Sequence, residues 1–187
     1  MTSRVLVALR IAAPPSRVFE AFTTEIGEWW RPNGLFQPTR RRAGRLCIEP
    51  GVDGRLLETH PDGAVDEIGR IRAWEPPVRL VFTWRPTSFA PSQETEVHVR
   101  FEPVNSVTRV VVEHFGWDGI PQEHAARHGF PLFVFQQRLA EWWRDLVESL
   151  AAHTSCAPDE RRSSIEEPRR SLESIRAAQR PGRWSVR

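Results

Sequence analysis

The stretch from residue 131 to 153, PLFVFQQRLAEWWRDLVESLAAH, decides the fold because no earlier segment has a comparable length and helical period. Large apolar residues recur at steps of three and four, and the opposite side is mostly charged or polar, as an amphipathic helix requires. The pattern predicts one long helix whose wide aromatic face must be covered by another part of the chain. Its apolar positions are Leu132, Phe135, Leu139, Trp142, Leu146 and Leu150.

The chain before this helix contains short alternating segments, which predict strands. Two short helices are predicted between residues 15 and 30, the second capped by Thr23 or Thr24. The predicted fold class is therefore α+β, with an antiparallel curved sheet wrapped around the long C-terminal helix and two short helices after the first strand. The predicted strands cover residues 4–11, 44–50, 54–59, 65–74, 78–84, 94–101 and 107–117.

Three segments have no regular apolar pattern. Residues 31–43 are polar and rich in arginine, and they are predicted to form a loop over one mouth of the fold. Residues 118–130 are predicted to form a lid or a connection to the long helix. Residues 157–187 are mostly Arg, Ser, Glu and Pro, so they cannot offset their ordering entropy. We expect one domain over residues 1–156 and a disordered tail over residues 157–187.

The composition excludes several kinds of chemistry. All 26 basic residues are arginine and tyrosine is absent, so neither a lysine Schiff base nor a phenolic proton donor is available. The segment 157–187 carries a net charge of +3, which leaves −1 on the rest of the chain. Because a nearly neutral body lacks the basic surface of a nucleic-acid-binding domain, no nucleic-acid partner is expected.

The cysteines and the N-terminal segment indicate the compartment. Cys47 lies between Leu46 and Ile48 in a predicted strand, where we expect a buried thiol that packs as a small apolar side chain. The only other cysteine is Cys156, which suits a reducing environment. The apolar start, residues 5–13, is too short and too interrupted for a signal sequence or a membrane span. We therefore expect a soluble, cytoplasmic protein without a membrane span.

The sequence contains no motif of a common active site. A phosphate-binding glycine loop, a Gly-x-Ser-x-Gly turn and cysteine pairs with metal-ligand spacing are all absent. His124 and His128 have helical spacing but no evident third ligand, so no metal is expected. We also expect no cofactor, and we assign no catalytic residue.

His114 is the histidine that the strand pattern places inside the fold. It shares the parity of Val110 and Val112, whereas Arg109 and Glu113 have the outward parity. Such a histidine is either bonded within a packed core or a polar group in the wall of a ligand cavity, and both interpretations stay open. The candidate residues of that cavity are His114, Val97, Val99, Phe82 and Leu139.

Several short phrases carry a resemblance to a known superfamily. They are APP (13–15), WW (29–30), GRI (69–71), WEPP (74–77), FTW (82–84), TEV (95–97) and HFGW (114–117). Together they resemble the START-like (SRPBCC) superfamily, and within it proteins homologous to the C-terminal domain of the activator of heat shock protein 90 ATPase. The resemblance covers about residues 4–153, and the run from WEPP to FTW is its most specific part.

The resemblance implies a helix-grip fold that leaves an apolar cavity between the sheet and the long helix. The leading hypothesis is a module that binds a small apolar or amphipathic molecule without catalysis. The second hypothesis is a cochaperone or stress-related module with a protein partner, and the third is a cyclase- or hydrolase-like enzyme acting in the cavity. An enclosed apolar space favours the first, a large exposed apolar patch the second, and converging titratable residues the third.

Overall fold

The sheet has seven strands, all paired antiparallel, in the order β1-β7-β6-β5-β4-β3-β2. The computed structural model describes residues 3–39 and 44–155. The strands are β1 (Arg4–Ile11), β2 (Arg45–Ile48), β3 (Arg55–Thr59), β4 (Val65–Glu75), β5 (Arg79–Trp84), β6 (Thr95–Val104) and β7 (Val107–Phe115). The helices are α1 (Pro15–Thr24), α2 (Ile26–Trp29) and α3 (Leu132–Ser155), with 3-10 turns at Trp117–Gly119 and Ala125–Arg127.

Helix α3 packs its aromatic face against the curved sheet and the two short helices, so the predicted α+β helix-grip fold is confirmed. Of the six apolar positions expected to form this face, all are buried except Leu132, which is half-buried at the first residue of the helix. Trp143 and Val147 are buried beside them and widen the contact. Ser149 Oγ donates to the Trp29 carbonyl at 2.6 Å, which fixes α3 to α2.

Strands β6 and β7 follow the predicted alternation on their inner face. His114 is 1% exposed and points inward beside Val97, its partner across the two strands. Glu113 lies on the outer face as predicted, yet it is only 4% exposed. Arg4 bonds to its carboxylate at 2.7 Å, and Arg100 bonds to it from the other side. Glu113 lies on the outer face of the sheet, but the side chains of its ion-pair partners, Arg4 and Arg100, cover it.

The predicted threonine cap of α2 is wrong. The helix begins after Glu25, and no side chain caps it. Thr23 Oγ1 donates to the Phe19 carbonyl at 2.8 Å, and Thr24 Oγ1 donates to the Glu20 carbonyl at 2.7 Å. Both hydroxyls bond to the preceding turn of α1, which is a common alternative for threonine within a helix.

The expectation of a buried Cys47 is also wrong, because its thiol is exposed. Leu46 and Ile48 take the two inward positions of β2, so the residue between them must point outward. Strand β2 is an edge strand of the sheet, and its outward positions, Arg45 and Cys47, are exposed. Cys156, the predicted tail 157–187 and residues 40–43 lie outside the described residues. Within the described part of the chain, no helix is long and apolar enough to cross a membrane.

Candidate ligand site at the mouth of the fold

A pocket of about 210 Å³ lies beside Leu139 and Trp142 of α3, where three loops meet. One loop contributes residues 34–39, a second contributes residues 86–88, and the segment between β7 and α3 contributes the third wall. Residues 34–39 of the predicted loop 31–43 line this pocket, and residues 118–130 connect β7 to α3, which is one of the two roles expected for them; a role as a lid stays a prediction. The large apolar residues of the wall are Leu35, Phe36, Trp84, Trp117, Leu139 and Trp142.

Four large aromatic side chains, Phe36, Trp84, Trp117 and Trp142, line the pocket. The ring of Phe36 stacks on Trp142 with 5.0 Å between centroids and an interplanar angle of 20°. Trp84 meets Trp142 at 6.1 Å, edge to face. Gly116, with a φ of 91°, turns the chain after β7 through a conformation that glycine adopts readily. Because of this turn, Trp117 packs on Phe135 of α3 at 4.5 Å.

Three hydrogen bonds join the three loops in pairs around the pocket, and we call them the rim bonds. The Thr87 N–H donates to the Pro38 carbonyl at 2.8 Å. His124 Nε2 donates to the Ser88 carbonyl at 3.1 Å, and His128 Nε2 donates to the Leu35 carbonyl at 2.6 Å. Each loop therefore bonds to both of the others, and two of the three bonds come from the histidines once considered as metal ligands.

Arg127 lies buried within the segment between β7 and α3, the third wall of the pocket, and holds it through hydrogen bonds. The residue is only 3% exposed. Its guanidinium donates to the carbonyls of Ile120 and Phe130, both at 2.8 Å, and lies 5.2 Å from the centre of the Phe135 ring. Burial lowers the pKa of Arg127, against the opposing effect of Glu123. No sequence pattern singles out Arg127, because nothing local separates a buried arginine in a loop from an exposed one.

His114 lies in a directional chain of hydrogen bonds behind the pocket. Trp143 Nε1 donates to His114 Nδ1 at 3.1 Å, and His114 Nε2 donates to Thr95 Oγ1 at 2.9 Å. Thr95 Oγ1 in turn donates to the Trp84 carbonyl at 2.9 Å. Burial lowers the pKa of His114 to about 3, so the ring is neutral, which leaves Nδ1 free to accept. This series of hydrogen bonds links α3, β7, β6 and β5.

The five candidate cavity residues are all buried, but only one of them lines the pocket. Leu139 forms part of its wall. Val97, Val99, Phe82 and His114 lie in the filled interior between the sheet and α3, each at most 1% exposed. Both ring nitrogens of His114 already have partners, so a ligand would have to displace one of them. Contact between these four residues and a ligand stays a prediction.

Phe36, Thr39, Trp84, Trp117 and Trp142 line the pocket although no sequence pattern indicated it. The three tryptophans are almost fully buried and also border the pocket. Among the described lining residues, His128 is the single titratable group. No three His, Cys, Asp or Glu residues come together as a possible metal site within residues 3–39 and 44–155.

The comparisons with known proteins agree with this architecture. The model of the family described as activator of Hsp90 ATPase homolog 1-like protein matches residues 12–153. None of the curated proteins compared with the chain matches it.

Several solved structures share the fold at low sequence identity. MLL2253 from Mesorhizobium loti is 21% identical, with a TM-score of 0.55 over 80% of this chain and 95% of that one. CalU16 from Micromonospora echinospora is 18% identical, with a TM-score of 0.54 over 88% and 83% of the two chains. Aha1 from Colwellia psychrerythraea, solved as a dimer in solution, is 16% identical, with a TM-score of 0.54 over 83% and 98%.

These likenesses show the fold and not a shared ligand or partner. The family model spans most of the chain, including the phrases that carried the sequence resemblance and the three loops around the pocket. The resemblance to the START-like superfamily is therefore confirmed, and this chain belongs to the activator of Hsp90 ATPase homolog 1-like family.

Proposed function

We propose that this chain binds a small, largely apolar molecule in the pocket at the mouth of the fold. The observation that carries the proposal is a concave space of about 210 Å³ lined by Phe36, Trp84, Leu139 and Trp142. Ligand sites are typically concave and mostly apolar, with a few polar groups for orientation. The volume lies below the usual range of about 300–1,000 Å³ for drug-sized ligands, which favours a smaller molecule.

The test is a fluorescence titration with N-phenyl-1-naphthylamine, an uncharged apolar fluorophore. We expect saturable binding to the wild-type protein. Ala126 is half-buried in the pocket wall, and Ala126→Phe should obstruct the space and weaken binding about tenfold or more. Ala151→Phe is the matched control, because Ala151 is a half-buried alanine on α3 that does not line the pocket.

Two results would contradict the proposal, provided that both variants keep the wild-type circular dichroism spectrum. One is the absence of saturable binding to the wild-type protein. The other is an equal loss of affinity in Ala126→Phe and Ala151→Phe, which would place the probe elsewhere.

A protein partner remains the second candidate function, and a separate feature favours it. A shallow groove of about 350 Å³ lies between α1 and the turn after β4, with Phe19, Trp74 and Pro77 in its walls. Val78, the last residue of this turn, is 60% exposed. The family description points to a chaperone of the Hsp90 class as the partner to test.

The measurement for this alternative is the ATPase rate of such a chaperone with and without the protein. A rate increase that Trp74→Ser abolishes and Ala126→Phe leaves intact would favour the groove, and an unchanged rate would remove this candidate. The enzyme hypothesis receives no comparable support. Among the described lining residues, His128 is the only one of a type used as a general acid or base, and no second such side chain accompanies it.

A further inference from the structure

His124 uses both of its ring nitrogens to hold the third wall of the pocket. Nδ1 accepts the N–H of Ala126 at 3.1 Å, which caps the 3-10 turn Ala125–Arg127, and Nε2 donates to the Ser88 carbonyl at 3.1 Å. A backbone N–H can only donate and a carbonyl can only accept, so the two bonds together require a neutral ring with its proton on Nε2. His124 therefore joins this turn to the loop of residues 86–88 in one protonation state.

The turn that His124 caps is part of the pocket wall. Its first two residues, Ala125 and Ala126, line the pocket. Its third residue, Arg127, is buried and donates to carbonyls of its own segment. The bond from His124 to the Ser88 carbonyl therefore links this part of the wall to the neighbouring loop.

No described carboxylate forms an ion pair with His124. On its own segment, the charge of Glu123 acts on Arg127, and His128 donates to a carbonyl of the first loop. On the neighbouring loop, Arg85 donates to two carbonyls of residues 90–93. Within residues 3–39 and 44–155, the histidines with ion pairs are His60, His98 and His153. No described carboxylate is therefore bonded to the His124 ring to favour its charged form.

A second proton on the His124 ring would turn the cap into a repulsion. Nε2 already carries a proton, so the added proton binds Nδ1, and the ring then directs an N–H at the Ala126 N–H. Phe89 packs nearly perpendicular to the ring, with 5.3 Å between centroids, and restricts its rotation away from this contact. Histidine commonly exchanges this proton between about pH 5 and 8. The rim bond from His128 survives acid, because a protonated ring still donates.

We propose that His124 is an acid-sensitive latch of the pocket wall. In its neutral form it holds the turn Ala125–Arg127 against the loop of residues 86–88, and its protonation releases the turn. Because Ala125 and Ala126 line the pocket, release of the turn opens the pocket. A molecule that binds only to the closed wall keeps His124 neutral, so its affinity falls as the pH falls. The latch determines when the pocket opens and not which molecule it holds.

Two matched variants separate the latch from a general effect of acid. His124→Asn removes the titrating ring, and its Oδ1 atom can still accept the Ala126 N–H, because asparagine is a favoured N-cap residue. His128→Asn makes the same substitution at the end of the same turn, at a φ of 51° that asparagine tolerates, and leaves His124 in place. His114 is common to all three proteins, so its titration does not distinguish them.

The first measurement requires no ligand. NMR of the 15N-labelled protein gives the protonation of the two His124 ring nitrogens and the hydrogen-exchange protection of the Ala126 amide at pH 7.5 and pH 5. We expect the proton on Nε2 at pH 7.5 and protons on both nitrogens at pH 5. Protection of the Ala126 amide should fall about two- to tenfold, the value of one hydrogen bond, in the wild type and in His128→Asn. It should stay constant in His124→Asn.

The second measurement is the dissociation rate of bound N-phenyl-1-naphthylamine in a stopped-flow displacement at the same two pH values. Acid should raise the rate about two- to tenfold in the wild type and in His128→Asn, because one hydrogen bond of the wall is lost. The rate should not change in His124→Asn. This measurement rests on the proposed function, whereas the NMR measurement does not.

Three results would overturn the latch. One is a His124 proton on Nδ1 at pH 7.5, which is observed on the wild-type protein and needs no variant to fold. Another is an equal loss of Ala126 protection in the wild type and in His124→Asn. The third is a dissociation rate that is the same at both pH values in the wild type, since the turn would then not control the pocket. If the probe does not bind at all, the proposed function fails, and the NMR measurement still decides the latch.

Discussion

Two neighbouring residues of α3, Trp142 and Trp143, face different regions of the molecule. Trp143 lies in the filled interior, 1% exposed, with its N–H bonded to a neutral histidine that is itself fully paired. Trp142 is almost as buried but borders the pocket and is bonded to the Arg31 carbonyl of the mouth loop. In the interior, Trp143 and His114 satisfy one another, whereas at the mouth Trp117 and Thr39 have unpaired polar atoms, as Trp30 does within the core.

The difference teaches where this fold has room for a ligand. The space between the middle of α3 and the sheet contains tightly packed aromatic and β-branched residues that are almost fully buried. The mouth is built from loops that touch through the three rim bonds, so its geometry depends on a few contacts. Regions with few contacts open at low free-energy cost, and binding sites are often found there.

The largest expected effect is a difference in stability between the alanine variants of Trp143 and Trp142. Trp143→Ala should lower the free energy of unfolding by about 3–5 kcal/mol, because it empties a fully enclosed site and leaves His114 Nδ1 without its donor. Trp142→Ala should cost less, because its cavity joins the pocket and water can enter. Urea unfolding of both variants measures the difference, and an equal or larger loss in Trp142→Ala would contradict the distinction between interior and mouth.

The second expected effect is a pH dependence of the unfolding free energy, which arises from His114 in the interior. Burial lowers the pKa of His114 to about 3 from its usual value of 6.5. Between these two values the unfolded chain binds a proton that the folded protein does not. Stability should therefore fall as the pH falls, by about 1.4 kcal/mol per pH unit, or about 2 kcal/mol from pH 6.5 to 5.

The variant His114→Gln isolates this contribution. It removes the titrating group, so its unfolding free energy should vary less steeply with pH than that of the wild type. Every other histidine is common to both proteins, so the difference between the two slopes reports His114. If the unfolding free energies of the two proteins change equally between pH 6.5 and 5, His114 keeps an ordinary pKa and water reaches it in the folded protein.

The third effect is smaller and belongs to the mouth. His128→Ala removes the rim bond to the Leu35 carbonyl but keeps the Cβ atom at this position, where φ is 51°. We expect a stability loss of about 0.5–1 kcal/mol, typical of one hydrogen bond near the surface. If the rim bonds restrain the loops, bound N-phenyl-1-naphthylamine should also dissociate faster in a stopped-flow displacement. An unchanged dissociation rate would indicate that this rim bond does not limit access.

The smallest effect is expected at a position that belongs to neither region. Cys47 is exposed on β2, so Cys47→Ser should change the unfolding free energy by less than about 0.5 kcal/mol. Its thiol should react with 5,5′-dithiobis-(2-nitrobenzoic acid) in the native protein. If the Cys47 thiol reacted only after unfolding, it would be buried, as first expected from the sequence.

Much of the fold followed from residue patterns. The period of residues 131–153 predicted α3, and the alternation of Val97, Val99 and Phe101 predicted the inner face of β6. His114 was correctly placed inside because parity is a local property of a strand. The predictions for the cap of α2 and for the edge strand β2 were wrong for a different reason. Thr23, Thr24 and Cys47 each had two local options, and only neighbours in space select between them.

The site was less predictable than the fold. The sequence indicated that residues 31–43 and 118–130 are loops near a mouth, but it did not indicate which side chains they bring together. His124 and His128 were weighed as metal ligands, and the structure gives each a carbonyl acceptor on a different loop. Trp117 was noticed only as part of a family phrase, and Arg127 was not singled out, because burial of a loop residue depends on packing against α3 and on the turn at Gly116.

The sequence by itself determined the fold class, the number and order of the strands, the long helix and the orientation of His114. Each of these depends on periodicity, which is encoded within about ten to twenty neighbouring residues. Only the tertiary structure decided that the middle of the grip is filled, that the pocket lies among the three loops, and that Trp117 and Thr39 carry unpaired polar atoms there. Packing and hydrogen-bond satisfaction are sums over residues far apart in the chain, so no local pattern contains them.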